Sequence, residues 1–180
     1  MKGIVFNLLE QTVSDKYGED TWDALLEGAG LEGSYTAVGS YPDEELIALV
    51  DTGCTALGVE QDDLIRWFGR AALPLLAAKY PGFFSPYDST RAFLMTLNEI
   101  IHPEVRKLFP GAYAPSFEFD TTNENDLGLA YHSHRNLCSF AEGLIEGSAD
   151  HFGEAVDITQ ATCSKRGDQL CDLHIHFTKL

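Results

Sequence analysis

The strongest constraint in this 180-residue chain is a change of hydrophobic period near Pro110 and Pro115. Before it, apolar residues recur every three or four positions, the repeat of a helix; after it they alternate, the repeat of a strand. Residues 21–29 follow the acidic pair Glu19 and Asp20, set Trp22, Leu25 and Leu26 on one face and stop at Gly28 and Gly30. Pro42 opens a second helix carrying Leu46, Ile47, Leu49 and Val50, and residues 61–78 supply a third around Leu64, Ile65 and Phe68. Pro81, Gly82 and Pro86 mark a loop. Residues 89–102 are helical again through Phe93, Leu97, Ile100 and Ile101. Pro103 disfavours helical backbone at His102, so the helix is expected to kink or restart there.

Beyond Pro115, Phe117 and Phe119 alternate, and the polar run 120–126 reads as a turn. Leu127, Leu129, Tyr131, Ser133 and Arg135 then fall on one face of a strand. A helix over 137–152 buries Phe140, Ala141, Leu144, Ile145 and Phe152, and 156–162 pairs with 171–177 around Lys165, Arg166, Gly167 and Asp168 as a hairpin. The expected class is α+β: a helical amino-terminal part, then a small antiparallel sheet of about four strands with a helix crossing it. One domain over 1–180 is expected, helical over roughly 1–60 and mixed over roughly 61–180.

The chain carries 28 acidic against 12 basic residues, a formal charge of −16. That balance opposes the counterion release by which nucleic acid attracts proteins and the pull of anionic membrane surfaces, so neither is an expected partner. The opening MKGIVFNLLEQ is too short for a signal-peptide core, and the densest apolar stretch, 71–78, is broken by Pro74 and flanked by Arg70 and Lys79. A cytoplasmic protein is expected, with Cys54, Cys138, Cys163 and Cys171 as thiols or metal ligands rather than disulfides.

The chemistry concentrates on Tyr131, Ser133 and Arg135, which the strand period places on a face that would otherwise be core. Three donors in a row suit a ligand carboxylate, and arginine grips one through two parallel charge-assisted hydrogen bonds. Taken alone, Arg135 fits equally well as a strand-end cation reaching solvent, and His102 as a core histidine beside isoleucines. Together they describe a ligand with an anionic edge and a metal centre held between a helix and a sheet. That is haem, whose propionates need donors and whose iron needs an imidazole.

Tyr131-x-Ser133-x-Arg135 with His102 upstream resembles the haem nitric oxide/oxygen binding (H-NOX) family, bacterial relatives of the sensor domain of soluble guanylate cyclase. The opening Met1 to Asn7, the Trp67-Phe68-Gly69 stretch, Pro115 and the Glu142 to Gly147 segment fall in family order. The resemblance implies non-covalent haem b, no Cys-x-x-Cys-His attachment signature being present. It further implies His102 as proximal ligand, Tyr131, Ser133 and Arg135 as propionate clamp, and Pro115 as a wedge against the porphyrin. Val5, Leu9, Phe140 and Leu144 are then expected along the haem pocket. Pro103 departs from the family pattern. Members that hold oxygen place a tyrosine over the gas, and the matching residue here is Phe140, with Leu9 and Ala72 at the supporting polar positions. The resemblance therefore implies a sensor, not an enzyme, that takes nitric oxide and carbon monoxide without stable oxygen binding. It also implies output in trans to a sensor histidine kinase or a cyclic-di-GMP enzyme, the chain ending directly after its last strand.

Two rivals use other residues. Cys138, Cys163 and Cys171 are candidates for a zinc or thiol redox module, although the fourth cysteine of that family pattern would match Phe140. His132-x-His134 and His174-x-His176 offer four imidazoles to a metalloenzyme, but their face is opposite to that of Tyr131 and is expected to be solvated.

Overall fold

The computed structural model describes residues 1–123 and 126–179. Four helices open the chain: α1 (Gly3–Tyr17), α2 (Glu19–Ala29), α3 (Asp43–Leu57) and α4 (Gln61–Lys79). Helix α1 is an addition to the three expected, and it buries Phe6, Leu8 and Leu9 at helical spacing. Helix α3 begins with Asp43, Glu44 and Glu45, carboxylates that suit the positive end of its dipole, and ends at Gly58 in the left-handed conformation (φ 67°).

The segment ahead of His102 differs from the single helix expected. It forms α5 (Thr90–Leu94), a π-helical turn over Leu97–Ile101, and α6 (His102–Leu108). The restart falls at His102, and the disruption extends back to the π turn. Pro103 lacks an N–H and crowds the carbonyl four residues earlier, that of Glu99, and the wider turn relieves that clash.

Strands β1 (Ser116–Asp120), β2 (Asp126–His132), β3 (Glu154–Thr162) and β4 (Cys171–Lys179) form one antiparallel sheet in the order β1-β2-β4-β3. Of the polar turn expected at 120–126, residues 124 and 125 lie outside the described residues. Helix α7 (Cys138–Phe152) connects β2 to β3 and covers the inner sheet face, where Leu127, Leu129, Tyr131, Leu173 and Ile175 are buried. His174 and His176 point outward and are exposed, as their opposite phase requires.

Strand β2 stops earlier than its alternation suggests. Its ladder with β1 closes at Ser116 opposite His132, and Pro115 cannot donate to extend it. Ser133 and Arg135 therefore sit on a turn, where Ser133 Oγ accepts the Arg135 N–H at 3.1 Å and Asn136 takes a left-handed φ of 53°.

The apolar interior forms two clusters. One joins α1 to Trp22, Leu46, Leu49, Phe68, Ala72 and Phe109; the other joins the sheet to α7, Leu73, Phe93 and Ile101. Helices α4 and α7 meet backbone to backbone: a Cβ on Gly143 would lie 2.0 Å from the Arg66 carbonyl oxygen, and one on Gly69 2.5 Å from that of Phe140. Arg66 bridges Glu142 and Glu146 at 2.7 Å each, and Arg70 holds Asp150 at the same distance. No helix among the described residues is long and apolar enough to cross a membrane.

Because the Arg66 backbone cannot yield without opening this contact, Gly143→Ala should cost about 1 to 3 kcal/mol of stability. Urea denaturation followed by circular dichroism reads that loss, and an unchanged midpoint would mean that the two helices part freely.

Candidate functional site

A cavity of about 400 Å³ lies between the two clusters, within the range of roughly 300 to 1,000 Å³ common for small-molecule sites. Its wall is largely apolar. Ile4, Val5 and Leu8 come from α1, Leu73 and Leu76 from α4, Phe140 and Leu144 from α7, and Leu129 from β2. Polar residues line it as well, among them His102, Tyr131, Ser133 and Arg135.

His102 is carried to the cavity by the helix restart. Burial, with Arg106 nearby, lowers its pKa from 6.5 to about 4, and the carbonyl of Pro115 offsets only part of that. The imidazole is therefore neutral at pH 7, the form that binds a metal. Its Nδ1 is buried without a hydrogen-bond partner, which a folded protein rarely tolerates without a ligand or a water to satisfy it. The ring lies 5.6 Å from that of Phe117, and Pro115 lines the cavity two residues before.

The three donors expected on one strand face do converge, but not as strand neighbours. Tyr131 is buried, which raises its phenol's pKa, with the Ser133 hydroxyl and the Leu137 backbone pulling the other way. Arg135 has the acidic partner that its own strand lacks: its Nε donates to Asp43 Oδ2 at 2.5 Å and Nη1 to the Tyr113 carbonyl at 3.3 Å. The guanidinium also stacks over the Tyr113 ring at 5.0 Å. Asp43, which accepts from the Met1 amino group as well, is held below the usual carboxylate range; burial alone would raise it, and the guanidinium and the amine more than offset that. Among the described residues Nη2 has no partner, so this arginine keeps a donor edge for an anion. Sequence alone did not reveal Asp43, because 92 positions separate the pair and only the fold closes that distance.

Phe140 lines the cavity and lies against Phe68 with ring centroids 5.0 Å apart. Val5 and Leu144 line it too. Leu9 and Ala72 do not: both are buried in the packing between α1 and α4, one layer behind the wall, and Leu8 and Leu73 take the lining positions. The reason is helical phase, since neighbours in a helix point about 100° apart.

Cys138, Cys163 and Cys171 come together on the other side of α7. Their sulfurs are buried within 4.8 Å of one another, with Cys163 3.8 Å from each of the others. Phe140 faces the cavity rather than this group, and Cys54 lies in α3. Burial pushes the Cys138 thiol up to about 12; the Cys171 thiol is also buried, but hydrogen bonds from Ser164 bring it below its usual value. The histidine pairs, by contrast, do not pool. His132 neighbours Glu118, and His176 meets Asp126 at 2.6 Å on the outer sheet face.

The residues present fit a haem: an apolar slot, one neutral imidazole with an unsatisfied nitrogen, and a phenol, a hydroxyl and a guanidinium for carboxylates. Known proteins agree. A family model described as haem-NO-binding matches residues 2–160. The fold superposes on an H-NOX protein of Shewanella oneidensis in its Fe(II)NO state with a TM-score of 0.94 at 32% identity, covering 99% of this chain and 100% of that one. An unliganded Fe(II) H-NOX protein from K. algicida gives 0.89 at 28% identity, over 100% and 98% of the two chains. A soluble guanylate cyclase of Caenorhabditis elegans is 26% identical in an alignment of 174 residues that covers 88% of this chain and 24% of that one, so the chain spans about a quarter of that relative. With the family model matching residues 2–160, the chain belongs to the haem-NO-binding family and has the H-NOX fold of a haem-based gas-sensor domain.

Proposed function

We propose that the protein is a nitric oxide sensor that holds haem b without a covalent link, with His102 as the protein ligand to iron and Tyr131, Ser133 and Arg135 at the propionates. The observation that carries this reading is a neutral imidazole with a buried, unpartnered Nδ1 in a largely apolar cavity that Tyr131, Ser133 and Arg135 also line. When bound, the haem supplies a ferrous iron able to take a diatomic gas. The apolar wall excludes water from it, and the Arg135 pair with Asp43 fixes the guanidinium before any ligand arrives, which reduces the ordering cost of binding. None of these residues has a catalytic role in such a sensor.

Choice of gas follows from the wall. Phe140 brings no hydrogen-bond donor to the cavity, and Leu9 and Ala72 behind it bring none either. Bound oxygen draws charge from ferrous iron and gains from a donor, whereas nitric oxide binds without one. The S. oneidensis relative has been solved in Fe(II)NO and Fe(II)CO states, which supports both gases as ligands for this chain.

The three thiols support zinc as a second, separate metal. Tetrahedral zinc with Zn–S bonds of about 2.3 Å sets its sulfurs roughly 3.8 Å apart, the spacing of Cys163 from its two neighbours. Cys138, Cys163 and Cys171 supply three of four ligands on this reading. Free thiols suit a reducing compartment, and the proposal places the protein in the cytoplasm.

For output, release of His102 by the iron would free the helical segment before it, a two-state element that ligand binding biases. A sensor histidine kinase or a cyclic-di-GMP enzyme is the proposed receiver, and the charge of −16 suits a basic contact patch on it.

His102→Gly should load haem only when imidazole is supplied; a normal ferrous spectrum without imidazole would overturn the assignment, and metal analysis of the same preparations reads zinc independently of iron. The unmodified ferrous protein should bind nitric oxide and carbon monoxide and form no stable oxygen complex in air. A lasting ferrous-oxy spectrum would refute the role given to Phe140, and Phe140→Tyr is the substitution expected to move the protein towards oxygen. A candidate kinase titrated with the unliganded and nitric oxide forms should differ in autophosphorylation, and equal effects from both would separate the histidine switch from the signal.

A further inference from the structure

The geometry points to Asn98 as a positioning residue that governs how readily His102 leaves the iron, an inference that rests on the haem reading above. Asn98 lies in the π turn, four residues before His102. Its Nδ2 donates to the Phe117 carbonyl at 2.6 Å, and its Oδ1 accepts the Phe117 N–H at 3.1 Å. Strand β1 is an edge of the sheet, where alternate residues point both backbone polar groups away from their neighbour strand. The side-chain amide, which carries a donor and an acceptor together, satisfies both groups of Phe117 as one residue of a further strand would.

This clamp joins the two walls that meet at the imidazole. On the helical side, Ile101 N–H donates to the Thr96 carbonyl at 3.2 Å and His102 N–H to that of Leu97, both in the five-residue π register. On the strand side, the Phe117 ring packs 5.6 Å from His102 and 5.9 Å from Tyr131, and Pro115 precedes it by two residues. Asn98 thus fixes the strand that carries Phe117 and follows Pro115 to the segment that ends in the ligand. Closing a π turn to α register would rotate the following residues by about 100° and shift them about 1.5 Å, enough to withdraw an imidazole from a metal. The two hydrogen bonds oppose that change for as long as they hold.

The test compares wild type, Asn98→Ala and Asn98→Asp. The aspartate keeps the size and the acceptor and loses the donor. Stopped-flow absorption under nitric oxide follows conversion of histidine-bound to histidine-free iron, and amide exchange by NMR follows the Phe117 N–H. Both variants should carry wild-type haem content, lose His102 faster, by roughly tenfold for alanine, and alanine should speed Phe117 exchange by a similar factor, as expected for loss of one or two net hydrogen bonds. Faster Phe117 exchange with an unchanged rate of histidine loss would overturn the positioning role, and unchanged exchange would overturn the clamp itself. Wild-type protein that takes up no haem marks failure of the haem reading instead, which would remove the positioning role along with it.

Discussion

The close approach of α4 to α7 is the contact on which the rest of the site depends. Glycines at 69, 143 and 147 let two helix backbones touch, and the arginines flanking them, Arg66 and Arg70, reach across to Glu142, Glu146 and Asp150. Surface ion pairs are individually weak, but here they border a contact that steric fit already defines. With α7 fixed in height and rotation, Phe140 and Leu144 face the cavity while Cys138 turns toward Cys163 and Cys171 beneath the sheet. One helix thereby separates an apolar cavity from a thiol group, and the two share no side chain.

The polar side of the cavity is organised by a different force. Arg135 crosses from the turn after β2 to the first residue of α3, so the group assigned to an anionic ligand is also tied to the helical amino-terminal part through Asp43. Its environment is half-satisfied by design of the fold: Nε and Nη1 are engaged and Nη2 is not. His102 shows the same pattern, with one wall given by Phe117 and Pro115 and one nitrogen left without a partner. A buried imidazole nitrogen without a partner, in a cavity that a half-engaged guanidinium also lines, suits a cofactor site, since the protein alone gains nothing from leaving it bare.

Much of this was legible from residue order. The switch of period after Pro115 placed the strands, the glycines and prolines placed most helix ends, and His102 beside Pro103 marked a helix break, because each of these depends on backbone chemistry within a few residues. Non-local contacts decided the rest. Alternation alone ran β2 on to Arg135, whereas the strand ends at His132 where its partner ends. Leu9 and Ala72 have the apolar character of pocket residues, yet helix packing set them behind Leu8 and Leu73.

Periodicity and residue type are enough for the α+β class, for the imidazole at a helix break and for the run of donors at Tyr131, Ser133 and Arg135. Packing of the whole chain is what brings Asp43 to Arg135 and Asn98 to Phe117, and what gathers three cysteines spread over 34 positions into one buried spot. Those contacts join residues from separate elements, and side-chain chemistry specifies what a group can bind but not which distant group the packed chain will bring to it.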